Sequence, residues 1–114
     1  MNYKWGIFVA DLNTGIGSEQ RGTRPVLVIS GEDFNRVMPV VTVLPITSLK
    51  EGRRVYPNEA LLKAGQGELS QDSIILAHQI RTISKQRLKD SPGFINDHNV
   101  QDAINEALRV HLNL

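Results

Sequence analysis

The sequence predicts a mainly β (α+β) protein, a small and strongly bent antiparallel barrel with short helices and one C-terminal helix. Short runs rich in β-branched and aromatic residues alternate with glycine, proline and asparagine turn signals along most of the chain. A single late segment has the apolar periodicity of a helix. The chain has 114 residues, so we expect one domain over residues 1–114.

The apolar runs give the long strands. The first strand is predicted over Trp5–Leu12, and a continuous apolar run at Val26–Ser30 predicts a central strand. A third strand is expected over Met38–Leu44, ended by Pro45, because proline cannot donate a hydrogen bond to a ladder. Asp72–Ile83 is expected to form one long final strand.

Shorter segments are assigned from turn residues and local pattern. Gly31–Arg36 is expected to form at most one helical turn or a wide loop, and Val55–Pro57 a short edge strand. Glu59–Lys63 is interpreted as a helical turn inside a loop, and Pro92–Gly93 as a turn.

The C-terminal segment predicts an amphipathic helix that docks on the sheet. Asp97 is the expected N-cap, since a short acidic side chain can accept from the first free backbone N–H groups. Apolar residues then recur at helical spacing. They are Val100, Ala103, Ile104, Ala107 and Leu108.

Composition excludes several classes of function. The absence of cysteine excludes disulfides, thiolate catalysis and cysteine-based zinc sites. His78, His98 and His111 are far apart in sequence and lack carboxylates at ligand spacing, so no metal site is expected. The chain has no glycine-rich phosphate-binding loop, so no nucleotide cofactor is expected. There is neither a signal-peptide pattern nor an apolar run near the ~20 residues of a membrane span, so we expect a cytoplasmic protein without a membrane partner.

Basic residues cluster although the net charge is only +1. Five of them lie in or near predicted loops, while acidic residues collect in the second half of the chain. A local basic face can hold a phosphate chain on a nearly neutral molecule. The five are Arg21, Arg24, Lys50, Arg53 and Arg54.

The polar stretch Gly17–Pro25 connects the first two predicted strands and is the best candidate for a functional loop. Its glycines permit turns, and Pro25 favours an extended Arg24. Together with Leu44–Ser48 and Asp72–Thr82, this stretch resembles the MazF/PemK family of toxin endoribonucleases from type II toxin–antitoxin systems. The similarity runs from about Trp5 to Leu88.

The resemblance implies an SH3-like barrel that works as a homodimer and is inhibited by a cognate antitoxin protein. It also implies a metal-independent, sequence-specific endoribonuclease acting on single-stranded RNA, an mRNA interferase without a cofactor. Such cleavage requires the substrate 2′-hydroxyl to attack the adjacent phosphorus, giving a 2′,3′-cyclic phosphate and a 5′-hydroxyl end. A base, a stabiliser of the phosphorane charge and a proton source for the leaving oxygen are then needed.

Arg24, Thr47 and His78 are the candidate catalytic residues. Arg24 matches the family's catalytic arginine, and a guanidinium fork suits a phosphorane, although a loop arginine can also simply cap carbonyls. Thr47 matches a catalytic threonine, with Ser48 as a competitor for the role. His78 replaces a carboxylate that is common in relatives. Histidine, with an unperturbed pKa of about 6.5, can serve as a base or as a structural hydrogen bonder.

Six further residues are predicted to bind RNA. Ser18 lies where relatives have histidine or serine. Glu19 and Gln20 either shape the loop or read base edges, and Glu19 is alternatively a structural ion pair with nearby arginines. Gln79 and Arg81 are expected on one face of an alternating strand. The six are Ser18, Glu19, Gln20, Arg53, Gln79 and Arg81.

Two rival functions remain open on sequence grounds. One is a toxin of the same fold that poisons a protein such as gyrase, against which the Arg24 and Thr47 pair argues. The other is a non-catalytic barrel that binds RNA or an acidic peptide. A low aromatic content of 5% disfavours a stacking platform for single strands.

Overall fold

The computed structural model describes residues 2–114, except for the side chains of residues 90 and 91, as an antiparallel sheet with two α-helices. Short 3₁₀ turns lie at Gln66–Glu68, Ala77–Gln79 and Lys85–Arg87. The strands are β1 (Gly6–Asp11), β2 (Thr23–Val28), β3 (Val40–Ser48), β4 (Glu59–Leu62), β5 (Ser73–Leu76), β6 (Arg81–Ser84) and β7 (Leu88–Phe94). The helices are α1 (Glu32–Val37) and α2 (His98–Leu112).

The sheet confirms the predicted antiparallel, mainly β class. Its strand order is β4-β5-β3-β2-β1-β7, with β6 paired to β3 beside this path. Within residues 2–114 the end strands β4 and β7 do not pair with each other, so hydrogen bonds do not close the barrel. Instead the 3₁₀ turn after β4 packs on β7 so closely that a Cβ atom on Gly93 would overlap the backbone of Gly67.

Strand β3 runs through Pro45, so the prediction that Pro45 ends the strand was wrong. One edge of β3 pairs with β6 over Val40–Val43 and changes to β5 at Ile46. Pro45 lies in the interval between these two ladders, where a missing N–H removes no bond to either. Thr47 and Ser48 are therefore strand residues rather than the start of a loop.

The predicted final strand over Asp72–Ile83 is two strands, β5 and β6, separated by the 3₁₀ turn Ala77–Gln79. The break lets the chain leave one part of β3 and rejoin it further along, which a single straight strand cannot do. His78 and Gln79 lie in the turn, so the shared strand face predicted for Gln79 and Arg81 was wrong.

Three other local predictions were also wrong. No strand forms at Val55–Pro57, because side-chain contacts rather than a ladder hold this segment, as described below. Glu59–Leu62 is strand β4 instead of a helical turn, since pairing with β5 outweighs its helix propensity. Pro92–Gly93 lies in β7, at an irregularity where the β1 register shifts between Ile7 and Val9.

The sheet buries side chains on both faces, as alternation along a strand requires. In β2, Leu27 faces a core that α2 covers, while Val26 and Val28 face the opposite core. Both cores meet at β1, where Ile7 belongs to one and Phe8 to the other. The continuous apolar run of β2 therefore marks a central strand, as predicted.

Helix α2 closes the first of these cores. Asp97 caps it as predicted, accepting from the Asn99 N–H at 2.9 Å. Ile104 and Ala107 are buried against the sheet, whereas Ala103, expected in the apolar stripe, is exposed. Neither helix of the described chain is long and apolar enough to cross a membrane.

Candidate active site

The first cleft, of about 430 Å³, opens between the start of β2, the end of β3 and the segment before β5. Strand register builds it. Arg24 is paired with Ala10 of β1 and Thr47 with Ile74 of β5, and the β2–β3 ladder that joins the two strands ends two residues away, at Val26 and Pro45. Both side chains line the cleft. The backbone ladder thus brings together two predicted catalytic residues that are far apart in sequence.

Arg24 is held by one end of its guanidinium. Its Nε donates to the Arg21 carbonyl oxygen at 2.8 Å. Among the described residues its two terminal nitrogens have no hydrogen-bond partner and no carboxylate within ion-pair distance. Gly22, with φ of +75°, makes the turn into β2, so Arg24 belongs to the strand rather than to the loop predicted for Gly17–Pro25. The unoccupied nitrogens form a fork suited to two phosphate oxygens.

Thr47 also lines a second cleft, of about 340 Å³, on its other side. Thr47, Ser48 and Lys50 are common to both clefts, so the two adjoin along the end of β3. Neither cleft has an aspartate or glutamate among its described lining residues, and Arg24 and Lys50 contribute positive charge. The surface around Thr47 is therefore suited to an anion.

Glu59 organises the far wall of the second cleft. Its side chain is only 2% exposed, and Arg53 binds it with both terminal nitrogens, at 2.9 and 2.8 Å. His78 Nε2 lies 2.8 Å from Oε2, and the Tyr56 N–H donates to Oε1 at 3.0 Å. The Arg53 hydrogen bonds, aided by His78 and Tyr56, hold the pKa of Glu59 at about 2. Glu59 therefore remains an anion that fixes two predicted site residues.

The Gln79 side chain holds the loop between β1 and β2 against the wall of the second cleft. Its Nε2 donates to the Ser18 carbonyl oxygen at 3.2 Å, and its Oε1 accepts from the Gln20 N–H at 3.4 Å. Ser18, Gln20 and Gln79 all line the second cleft. The Gln20 Oε1 atom is buried without a hydrogen-bond partner among the described residues.

A third cleft, of about 250 Å³, continues from the second past His78 and Gln79 to Glu19 and Arg81. Glu19 accepts from the Ile16 N–H at 3.2 Å. The alternative that Glu19 pairs with nearby arginines is not realised among the described ion pairs. Its carboxylate stabilises its own loop instead.

The structure brings the nine predicted site residues into one chain of adjoining clefts but not into one pocket. Arg24 lies at one end, while Glu19 and Arg81 lie at the other. Thr47 and His78 are the links between neighbouring clefts. Sequence reasoning missed Glu59, whose only signal was a carboxylate at an alternate position of an apolar segment. No cluster of three or more possible metal ligands occurs in the described chain.

Comparison with known proteins places this geometry in a family. The model for the PemK-like, MazF-like toxin of type II toxin–antitoxin systems matches residues 3–112. Over 108 residues the chain is 40% identical to endoribonuclease EndoA of Bacillus subtilis (strain 168), covering 95% of this chain and 91% of that protein. It is 34% identical over 108 residues to endoribonuclease MazF of Staphylococcus saprophyticus, covering 95% and 88%.

A solved structure agrees. The Mycobacterium tuberculosis toxin MazF-mt6 matches with a TM-score of 0.77 and 27% identity, over 96% of this chain and 97% of that one. The strand order, the helices and the sequence identities thus point to the same relatives. The chain belongs to the family of PemK-like, MazF-like toxins of type II toxin–antitoxin systems.

Proposed function

We propose that this chain is a toxin that cleaves single-stranded RNA at specific sequences, with the substrate 2′-hydroxyl as nucleophile. The observation that carries the proposal is that Arg24 and Thr47 line one cleft and that the terminal nitrogens of Arg24 have no hydrogen-bond partner among the described residues. Two relatives are named endoribonucleases. A phosphate beside Thr47 would meet a preorganised cation in surroundings without a competing carboxylate, which favours an anionic transition state.

The reaction is written so that every proton is assigned. The 2′-oxygen forms a bond to phosphorus while its proton passes to His78. The phosphorane is stabilised by the Arg24 fork, and Thr47 donates a hydrogen bond to one non-bridging oxygen. The bond from phosphorus to the 5′-oxygen then breaks. We assign Arg24 as the group that donates a proton to this leaving oxygen. The products are a 2′,3′-cyclic phosphate and a 5′-hydroxyl end.

The two sides of Thr47 support this division of roles. His78 lines the second cleft and Arg24 lines the first, and Thr47 lines both. In-line displacement at phosphorus needs its base and its leaving-group partner on opposite sides of the phosphate. We assign these two places to His78 and Arg24, and metal independence forms part of the proposal.

The RNA path runs along the adjoining clefts. Ser18, Gln20, Arg53 and Gln79 line the second cleft, and Glu19 and Arg81 line the third. Arg53 and Arg81 supply cations for the backbone, while the amide side chains offer donors and acceptors to base edges. Unstacked bases of a single strand can enter such clefts, whereas paired bases cannot.

The test uses one RNA strand with a mapped cleavage site. Replacing the ribose on the 5′ side of the cut by a single 2′-deoxyribose should abolish cleavage there, because the nucleophile is absent. The matched control carries the 2′-deoxyribose one nucleotide further upstream and should be cut normally. Cleavage should survive EDTA. Undiminished cutting of the first substrate would contradict the mechanism, and no cutting of any RNA would contradict the function.

Poisoning of a protein target is the rival toxin function, and RNA binding without catalysis is the other. Both predict that Arg24→Ala leaves activity or binding partly intact. A guanidinium whose terminal nitrogens have no partner among the described residues, in one cleft with a threonine, favours transition-state stabilisation over either.

We also propose a cognate antitoxin and a homodimeric assembly. The family description names a toxin–antitoxin system, and an acidic, partly disordered antitoxin segment would cover the basic clefts. Adding that protein should stop RNA cleavage, and unchanged cleavage at full binding would contradict this. Exposed apolar side chains such as Phe34 and Val37 favour pairing of two copies. Light scattering should give twice the chain mass at micromolar concentration, and a monomer would be the contrary result.

A further inference from the structure

The carboxylate of Glu59 is the most enclosed charge around the site. It opens β4, where it pairs with Leu76 of β5, and its side chain is 2% exposed. A buried carboxylate is tolerated only when its oxygens are fully engaged by donors. Glu59 meets this condition through four donor contacts, none of which comes from its own strand.

These contacts come from two separate segments. Arg53 and the Tyr56 N–H come from the connection between β3 and β4, and Arg53 also lies 5.7 Å from the Tyr56 ring centroid. His78 comes from the 3₁₀ turn between β5 and β6. Glu59 thereby ties the loop before β4 to the 3₁₀ turn after β5, and both Arg53 and His78 line the second cleft.

The contact to Nε2 decides which nitrogen of His78 is free. A carboxylate can only accept a hydrogen bond, so Nε2 of His78 must carry a proton. In the neutral ring the lone pair then lies on Nδ1, and only Nδ1 can take a proton from another group. A residue that touches no substrate can set the chemistry of one that does.

We propose that Glu59 is a positioning residue that holds His78 as the Nε2-protonated tautomer, with Nδ1 as the proton acceptor, and holds Arg53 beside it on the same wall of the second cleft. The role of Nδ1 in cleavage rests on the proposed function, whereas the tautomer does not. Arg53 competes for the same carboxylate through a bidentate contact. Because Oε2 serves Arg53 and His78 together, the loop and the histidine are set by one atom.

The tautomer is tested directly by the ¹⁵N NMR signals of the His78 ring in the wild-type chain without RNA. At a pH where the ring is neutral, Nε2 should appear protonated and Nδ1 unprotonated. In Glu59→Gln, whose amide offers a donor as well as an acceptor, the two tautomers should mix. A wild-type ring protonated on Nδ1 would overturn the proposal even if the variant failed to fold.

A double-mutant cycle tests the route through His78. Glu59→Gln should lower kcat for RNA cleavage about tenfold or more, with a smaller change in KM. In a His78→Ala background the same substitution should cost less than about twofold, because the residue through which it acts is gone. Equal losses in both backgrounds would show a merely structural role and overturn the proposal.

A variant of Arg53, the other side chain that binds Glu59, provides the matched comparison. Arg53→Gln removes the other partner of Glu59 while leaving its contact to His78, so it should raise KM more than it lowers kcat. An equal loss of kcat in Arg53→Gln and Glu59→Gln would overturn the assignment. If the wild-type chain cuts no RNA, the proposed function fails, while the NMR result still decides whether Glu59 fixes the tautomer.

Discussion

The two walls around Thr47 are built in different ways. On the side of Arg24 the wall is regular sheet, because Arg24 is paired with Ala10 of β1 and Thr47 with Ile74 of β5. On the side of His78 the wall is a loop and a 3₁₀ turn, joined by side-chain contacts to the buried Glu59. One wall is positioned by backbone hydrogen bonds and the other by a buried ion network.

The difference shows which side chains remain available for a ligand. A ladder positions a residue through its backbone, so Arg24 uses only its Nε, on the Arg21 carbonyl, and its two terminal nitrogens have no partner among the described residues. Irregular segments lack that support, and His78, Arg53 and Gln79 each use part of their own hydrogen-bonding capacity to stay in place. Substitutions in the sheet wall should therefore affect chemistry alone, whereas those in the loop wall should also affect stability.

Arg24→Ala is the sharpest test of the sheet wall. Loss of a charged transition-state contact should raise the barrier by about 3–4 kcal/mol, or reduce kcat roughly 10²–10³-fold. The thermal unfolding curve should stay within the error of the wild type. The control is Arg21→Ala. Arg21 is exposed in the loop before β2, and this variant should remain active. Comparable losses in the two variants would contradict a catalytic role for Arg24.

Glu59→Gln should reveal the cost of the loop wall through stability. The pKa of Glu59 is about 2 in the folded chain against an ordinary 4.5, so its ionisation stabilises the fold above about pH 4.5. That contribution, roughly 3 kcal/mol at neutral pH, is lost as the pH falls from about 4.5 to 2. Urea unfolding should show the wild type losing its advantage over the variant in this window.

The control for this pH dependence is Glu51→Gln, at an exposed carboxylate of the connection between β3 and β4. It should change the free energy of unfolding by no more than about 0.5 kcal/mol at any pH. If the wild type and Glu59→Gln unfolded in parallel from pH 7 to pH 2, the buried network would not be stabilising.

Thr47→Val keeps the shape of the side chain and removes its hydroxyl. A hydrogen bond to a charged phosphorane oxygen is worth about 1.5–3 kcal/mol, so kcat should fall roughly 10–100-fold. Thr47→Ser should restore most of the rate, because the hydroxyl returns. Ser48→Ala tests the competing residue, and a larger loss there than in Thr47→Val would transfer the role to Ser48.

Gln79→Leu should have the smallest effect on stability. The effect should be confined to the loop between β1 and β2, which the Gln79 side chain holds. Its two contacts are long, so their loss should cost about 1 kcal/mol in total. Hydrogen exchange at the Gln20 N–H should accelerate several-fold, while exchange in β2 stays unchanged. Gln86→Leu, at an exposed position, is the control. Unchanged exchange at Gln20 would show that the loop does not depend on the hydrogen bonds from Gln79.

The first two strands and the family were predictable because they depend on local pattern. Apolar runs marked β1 and β2, and three short motifs indicated the family, which the comparisons confirm. The errors arose where tertiary pairing decides. Pro45 is tolerated only because β3 changes partners there, and the split after Leu76 exists only because β5 and β6 share that strand. Periodicity contains neither fact.

Glu59 illustrates the limit for the site. Its neighbours in sequence indicate a surface turn, and the partners that justify its burial lie 6 and 19 residues away. A carboxylate's role in such a network depends on three-dimensional contacts that no local rule supplies. The site roles assigned to Arg24, Thr47 and His78 stay predictions until the variants are measured.

The central position of β3 has a consequence for synthesis of the protein. Thr47 lies on a strand whose partners include β6, at Arg81–Ser84, and the core beneath it is completed by Ile104 and Ala107 of α2. A nascent chain that has emerged only as far as β5 therefore has neither His78 in place nor a covered core. Because cooperative domains fold as units on the ribosome, the chain remains inactive during most of its own translation. A potentially harmful nuclease is thus formed only after residues 104–107 have left the ribosome that made it.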